Sequence, residues 1–143
     1  MVASIAYRAS RSLRNPPPGF ENVRFADEGM TARELVLHMT NVLAFALAVL
    51  TDTERVRHEP LEWKSEIDRF YALLGDVDAR LAAGAAIDPG MELKLVQGPL
   101  SDALTHIGQL NALRRKAGAP IPPTSYIKAD VRIGCVALND QAE

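Results

Sequence analysis

Apolar side chains recur in steps of three and four residues along most of the chain, a spacing that predicts amphipathic helices. A first helix is predicted over Val2–Leu13, and the prolines that follow Asn15 end it because proline lacks an amide proton. The later spacings predict a second helix after Thr31, a third from about Leu61 to Ala83 and a fourth over Pro99–Ala117.

The start of the second helix carries a capping box, since Glu34 stands three residues after Thr31. The stripe predicted to face the core of the bundle is Leu35, His38, Val42, Phe45 and Val49. A histidine in such a stripe is either satisfied by a hydrogen bond or used as a ligand, because burying an unpaired imidazole is unfavourable. The corresponding stripe of the third helix is Trp63, Ile67, Phe70, Leu74, Val77 and Leu81.

The fourth helix has a broad apolar arc with His106 inside it and Asp102 at its edge. The arc consists of Leu100, Ala103, Leu104, Ile107, Leu110 and Leu113. Met91–Val96 either forms a separate early turn or leads continuously into this helix. Arg114 and its two basic neighbours are expected to form a solvated helix end, where cations suit the helix dipole.

Prolines after Gly118 break any long helix, and Val131–Val136 has β character without an evident partner strand. The tail is therefore predicted to be ordered but irregular. Together the patterns predict an all-α fold, a four-helix bundle with an irregular C-terminal tail, in a single domain over residues 1–143.

Composition narrows the function classes. Hydrophobic residues make up 48% of the 143 residues, charged residues 24%, and the net charge is −2, as in ordinary globular domains. Without a basic block, neither a nucleic-acid partner nor an anionic membrane is expected. No signal segment is evident, and the longest apolar run, Val42–Leu50, is about half of a membrane span. We therefore expect a cytoplasmic protein, in which the single cysteine, Cys135, is buried or incidental.

The candidate chemistry lies in the fourth helix, where Asp102 and His106 are four residues apart and so share a face. With His38 from the second helix they would supply two imidazoles and one carboxylate, an open metal site with positions left for water or substrate. The alternative is that Asp102 is only a favourable negative charge near a helix start. His58 lies between helices and is expected to be solvated rather than a ligand.

Four amphipathic helices, the helix-two histidine and the segment His-Ile-Gly-Gln-Leu from His106 to Leu110 resemble the DinB-like family of metal-binding four-helix bundles. The resemblance spans roughly Tyr7 to Gly118. In that family one histidine on the second helix and two on a later helix bind the metal. His38 and His106 match two of these positions, and the third falls on Asp102, which departs from the family pattern but is still a ligand type.

The resemblance implies that His38, Asp102 and His106 bind a divalent metal: zinc, nickel, iron or manganese. Asn41 and Gln109, one turn away, could orient ligands or substrate, or could be surface or interhelical hydrogen-bonding residues, which is slightly favoured. The catalytic residues beyond the metal ligands are unknown from sequence.

Two functions are implied. One is a metal-dependent thiol S-transferase or hydrolase acting on a small molecule, since the family is related to thiol-dependent S-transferases. The other is a non-catalytic, dimeric, stress-associated bundle with a structural metal. In both, the chain is expected to be a bacterial homodimer.

Overall fold

A computed structural model describes residues 1–140, so the last three residues of the predicted tail, 141–143, lie outside the described part. The helices are α1 (Val2–Leu13), α2 (Ala32–Thr51), α3 (Trp63–Ala82), a short α4 (Pro89–Leu95) and α5 (Ser101–Lys116). Residues 1–140 contain no strand, and the all-α prediction is confirmed.

The four long helices form a bundle in which α2 packs against α3 and α5, and α1 packs against the same two helices. The side chains at its centre are large, apolar and fully buried. They include Ile5, Phe20, Met39, Leu43, Phe70, Leu74, Ile107 and Leu110. Full burial of one such side chain contributes about 1.5–3 kcal/mol to folding.

The start of α2 has the predicted capping box. Thr31 Oγ1 accepts a hydrogen bond from the Glu34 amide at 3.2 Å, and Glu34 Oε2 accepts one from the Thr31 amide at 2.7 Å. These two bonds satisfy amide groups that the first turn of a helix leaves without partners.

The predicted core stripe of α2 is wrong beyond its first residue. Leu35 is buried, but Phe45 is 42% exposed, and His38, Val42 and Val49 are only partly buried. The face that is buried runs instead through Leu35, Val36, Met39, Leu43, Ala46 and Leu50. Because α2 is apolar on nearly all sides, its apolar positions do not define one face, and packing against α3 and α5 selects it.

By length and composition, α2 is the one helix among residues 1–140 that could cross a membrane, with a mean hydropathy of 1.7. Half of that apolar window is buried inside the bundle, and the core helix of a soluble protein passes the same test. The apolar character of α2 therefore serves packing in this fold.

The fourth predicted helix starts earlier than Pro99. Of the two alternatives for Met91–Val96, the structure shows the continuous one, because α4 leads into α5 through a π-helical turn over Val96–Leu100. Both Val96 and Leu100 keep right-handed helical backbone angles. A wider turn accommodates Pro99, which cannot donate the usual helical hydrogen bond. Asp102 thus lies within a continuous helical run and not at a free helix start.

The helix α5 runs antiparallel to α2. Near the end of α5, Lys116 Nζ donates to the carbonyl oxygens of Arg24 (2.6 Å) and Phe25 (2.9 Å), in the segment that precedes α2. Arg114 was predicted to be solvated, but it is buried. It donates to the carbonyl oxygens of Asn15 and Ala119, both at 3.0 Å. The end of α5 is therefore tied to the segments between helices.

The C-terminal tail packs on the bundle, as predicted. The Tyr126 ring meets the Tyr7 ring edge-on at 6.3 Å, and the Arg8 guanidinium lies 3.8 Å from the centre of the Tyr126 ring. Further along, Val136 and Leu138 are partly buried against the core. The tail thus covers part of the bundle surface without forming a strand within residues 1–140.

Candidate metal centre

The structure brings His38, Asp102 and His106 together between α2 and α5. Asp102 bridges the two histidines: its Oδ2 lies 3.0 Å from His38 Nε2, and its Oδ1 lies 3.3 Å from His106 Nε2. The two imidazole rings meet edge to face, with centres 4.5 Å apart. One ligand atom from each residue can be chosen so that all three lie within 4.8 Å of one another.

Two of these separations can be compared with the spacing of ligand atoms around a shared cation. Bonds of about 2.0–2.2 Å from an ion to nitrogen and oxygen put neighbouring ligand atoms roughly 2.8–3.6 Å apart in octahedral or tetrahedral geometry. Both carboxylate–imidazole distances, 3.0 and 3.3 Å, lie in that range. His38, Asp102 and His106 could therefore hold a metal ion.

The cluster is open on one side. The His106 side chain is 14% exposed, whereas those of His38 and Asp102 are 37% and 42% exposed. No other histidine, cysteine or carboxylate within residues 1–140 joins the three, and the half-buried Cys135 lies outside the cluster. An ion held here would keep coordination positions that the protein does not fill.

Gln109 supports the cluster from the next turn of α5. Its Oε1 lies 2.9 Å from His106 Nδ1, and because an amide oxygen accepts, this contact fits the tautomer in which Nδ1 carries the proton. In the neutral imidazole, Nε2 then presents a lone pair to the Asp102 oxygen. A cation bound between these two atoms would accept both lone pairs. This pattern, in which the far nitrogen of a ligating histidine is fixed by a hydrogen bond, is common in metal sites.

Asn41 does not contact the cluster. Its Oδ1 accepts from the His58 amide at 2.8 Å and its Nδ2 donates to the His58 carbonyl oxygen at 3.3 Å. Asn41 thus binds the segment between α2 and α3, which is neither of the interhelical and surface contacts named for it above. His58 was predicted to be solvated, but it is half-buried. This burial lowers the pKa of its imidazole. His58 takes no part in the cluster, as expected.

A buried ion pair fixes the segment between α2 and α3. Glu66 is fully buried, and its carboxylate accepts from Arg69 Nη2 at 2.7 Å and from the Leu61 amide at 3.0 Å. Arg69 also donates to the Glu59 carbonyl oxygen at 2.8 Å. Together with Asn41, these contacts hold the segment across the middle of α2. Only the Glu66–Arg69 spacing, three residues apart, could have indicated this arrangement from sequence.

A cavity of about 470 Å³ opens directly beside the cluster, with Asp102 in its wall. Val42 and Phe45 of α2 and Pro99 of the π turn supply its apolar surface, and Arg55 supplies a positive charge. Sequence reasoning missed this cavity, because the prediction placed Val42 and Phe45 in the core.

Comparison with known proteins finds no matching family model, no similar curated protein and no similar solved structure. The resemblance to the DinB-like family and the binding of a metal by His38, Asp102 and His106 therefore stay predictions. The convergence of the three side chains and the position of Gln109 support the prediction of a metal site.

Proposed function

We propose that this chain is a DinB-like divalent-metal-binding protein, in which His38, Asp102 and His106 hold the ion and a small molecule reacts beside it. The reaction class that fits best is metal-dependent thiol S-transfer or hydrolysis. The observation that most directly supports this proposal is that three potential ligand side chains converge beside an open cavity. When bound, a divalent ion supplies Lewis acidity, which lowers the pKa of a coordinated thiol or water.

The openness of the cluster favours this proposal over a purely structural metal. Structural zinc sites are closed by four protein ligands, whereas catalytic sites keep one position for substrate or water. Here three candidate ligands meet, and the Asp102 side chain is 42% exposed beside the cavity. A bacterial, cytoplasmic homodimer belongs to the same proposal.

The residues of the chain have distinct parts in this proposal. Two imidazoles and one carboxylate suit zinc, nickel, iron or manganese, and the carboxylate offsets one charge of the ion. Gln109 fixes His106 with Nε2 directed at the ion position. The ion would therefore meet ligands that are already oriented, which limits the ordering that binding requires.

Metal content tests the proposal directly. We would measure metals in protein made without a histidine tag, then titrate the apo protein with zinc by calorimetry. Wild type is expected to bind one ion per chain, and His38→Ala to weaken the affinity by more than about 100-fold, because a ligand matters more than its supporting residues. His58→Gln is the matched control, since it removes a histidine outside the cluster. Equal zinc affinity in wild type and His38→Ala would refute the metal site.

The catalytic part needs a separate measurement. Zinc-loaded wild type would be screened for transfer of small thiols to electrophiles and for hydrolysis, with His38→Ala as the inactive reference. Turnover in wild type alone is expected. A metal that raises the unfolding temperature without any turnover would instead support the non-catalytic bundle with a structural metal.

A further inference from the structure

Besides Asp102, the cavity beside the cluster has one charged side chain in its wall, Arg55. Arg55 lies in the segment between α2 and α3, and its guanidinium carbon is 5.8 Å from the centre of the Phe45 ring. Its Nη2 is 3.5 Å from the Asn41 carbonyl oxygen, at the long limit of a hydrogen bond. Phe45 and Asn41 thus hold the guanidinium at the cavity wall.

The charges around the cavity indicate whether a bound ligand would be an anion or a cation. Within residues 1–140, no carboxylate pairs with Arg55, and the one carboxylate lining this cavity is Asp102. With a divalent ion at the cluster, the ion, Asp102 and Arg55 would sum to two positive charges. A neighbouring cavity of about 660 Å³ shares Phe45 and Arg55 but contains Asp52 and Asp88. An anion is therefore favoured on the Asp102 side of Arg55.

We infer that the cavity binds a small carboxylate-bearing molecule, which approaches the ion with one end and pairs its carboxylate with Arg55. The cavity also offers this molecule an apolar surface, because Val42, Phe45 and Pro99 are among its lining residues. A guanidinium suits this task, since its fork of donors can bind both oxygens of a carboxylate. This inference rests on the proposed function, because the ion supplies one of the two attachment points.

Matched probes test the inference without knowledge of the natural substrate. Monohydroxamates of succinic, glutaric and adipic acid carry a metal-binding head and a carboxylate tail, and the alkyl hydroxamates of equal chain length lack the carboxylate. Calorimetry on zinc-loaded wild type should give at least one length at which the carboxylate probe binds about three- to tenfold more tightly, as an Arg–carboxylate pair at a partly exposed site provides.

Two pairs of variants assign that preference to the cavity. Arg55→Gln should abolish the preference for the carboxylate probe, whereas Arg57→Gln, an exposed arginine two residues away, should retain it. Gly98→Leu should weaken both probes, because Gly98 lines the cavity and a Cβ there meets no atom within 4 Å. Gly108→Leu adds the same side chain to a helical glycine that does not line the cavity, and it should leave the carboxylate preference intact.

The results separate this inference from the proposed function. Zinc titrations of all four variants come first, and wild-type zinc affinity is expected throughout. If zinc binds but the paired probes bind wild type equally at every length, or if Arg55→Gln keeps the preference, the inference is overturned while the metal site stands. If wild type does not bind zinc, the proposed function fails and this inference fails with it.

Discussion

Replacing Asp102 by alanine separates a metal ligand from a side chain that only bridges two histidines. In the structure Asp102 directs one oxygen to His38 and the other to His106, at 3.0 and 3.3 Å. Because it lies within the continuous helical run from α4 to α5, stabilisation of a free helix N-terminus is not its role. The substitution therefore tests the cluster itself.

The expected effects differ with and without metal. In the apo protein the change removes two partly exposed contacts, each worth about 0.2–1 kcal/mol. The free energy of unfolding should therefore fall by no more than about 2 kcal/mol. Loss of a supporting residue lowers metal affinity about 10–100-fold, so loss of the ligand Asp102 should cost more than about 100-fold, or roughly 2.8 kcal/mol. Asp102→His should restore binding, because it recreates the three-histidine pattern of the resembling family.

Calorimetry of the apo proteins with zinc gives the affinities, and urea unfolding with and without zinc gives an independent measure. At free zinc 100 times the wild-type Kd, the ion should stabilise wild type by about 2.7 kcal/mol. With a Kd 100-fold weaker, the same zinc should stabilise Asp102→Ala by only about 0.4 kcal/mol. Asp76→Ala, which removes an exposed carboxylate of α3, is the control for the loss of one negative charge.

Equal zinc affinities of wild type and Asp102→Ala would show that Asp102 is not a ligand, and the site with two histidines and one carboxylate would be wrong. A loss of affinity in both Asp102→Ala and Asp102→His would keep Asp102 as a ligand. That second result would contradict the correspondence with the family's third histidine.

Three further predictions follow from other contacts. Gln109→Leu should lower zinc affinity about 10–100-fold, because His106 loses the acceptor of its Nδ1 proton; an unchanged affinity in calorimetry would contradict that role. Burial lowers the pKa of His58 from its ordinary 6.5, so stability is present above that pH and falls as pH drops below it, when the unfolded chain takes up a proton first. Urea unfolding at pH 7.5 and 5.5 should show a smaller loss in His58→Gln, and an identical loss would count against the shift. Met39→Ala should cost about 2–5 kcal/mol and Phe45→Ala about 0.5 kcal/mol or less, since only Met39 is fully buried; the reverse order in urea unfolding would contradict the observed face of α2.

The sequence predicted helices well where one face alone is apolar. The bounds of α1 agree with the prediction, and Ile67, Phe70, Leu74 and Val77 of the α3 stripe are buried. In α2 the apolar positions surround the helix, so a spacing of three and four fits several faces equally. The neighbouring helices decide which face is buried, and sequence spacing does not contain that information.

The residues of the candidate site could be predicted from the sequence, but the backbone and packing around them could not. Asp102 and His106 share a face because of their spacing, and His38 was the histidine in the predicted core stripe of another helix. The family resemblance pointed to the Gly-Gln segment, in which Gln109 contacts His106. However, Pro99 suggested a helix start, whereas it lies in a π turn inside a longer helical run. The antiparallel approach of α2 and α5 depends on that run and on tertiary packing.

The error in the face of α2 and the cavity beside the cluster have the same cause. Because packing turns Met39 and its neighbours inward, Val42 and Phe45 are left to line a space beside Asp102. Gly98 leaves that space open, since it adds no side chain to the π turn. Asn41 binds the segment between α2 and α3 through His58, and its carbonyl oxygen lies 3.5 Å from Arg55 Nη2. Val42 and Phe45, which the sequence pattern placed in the core, thus line the proposed binding cavity together with Arg55.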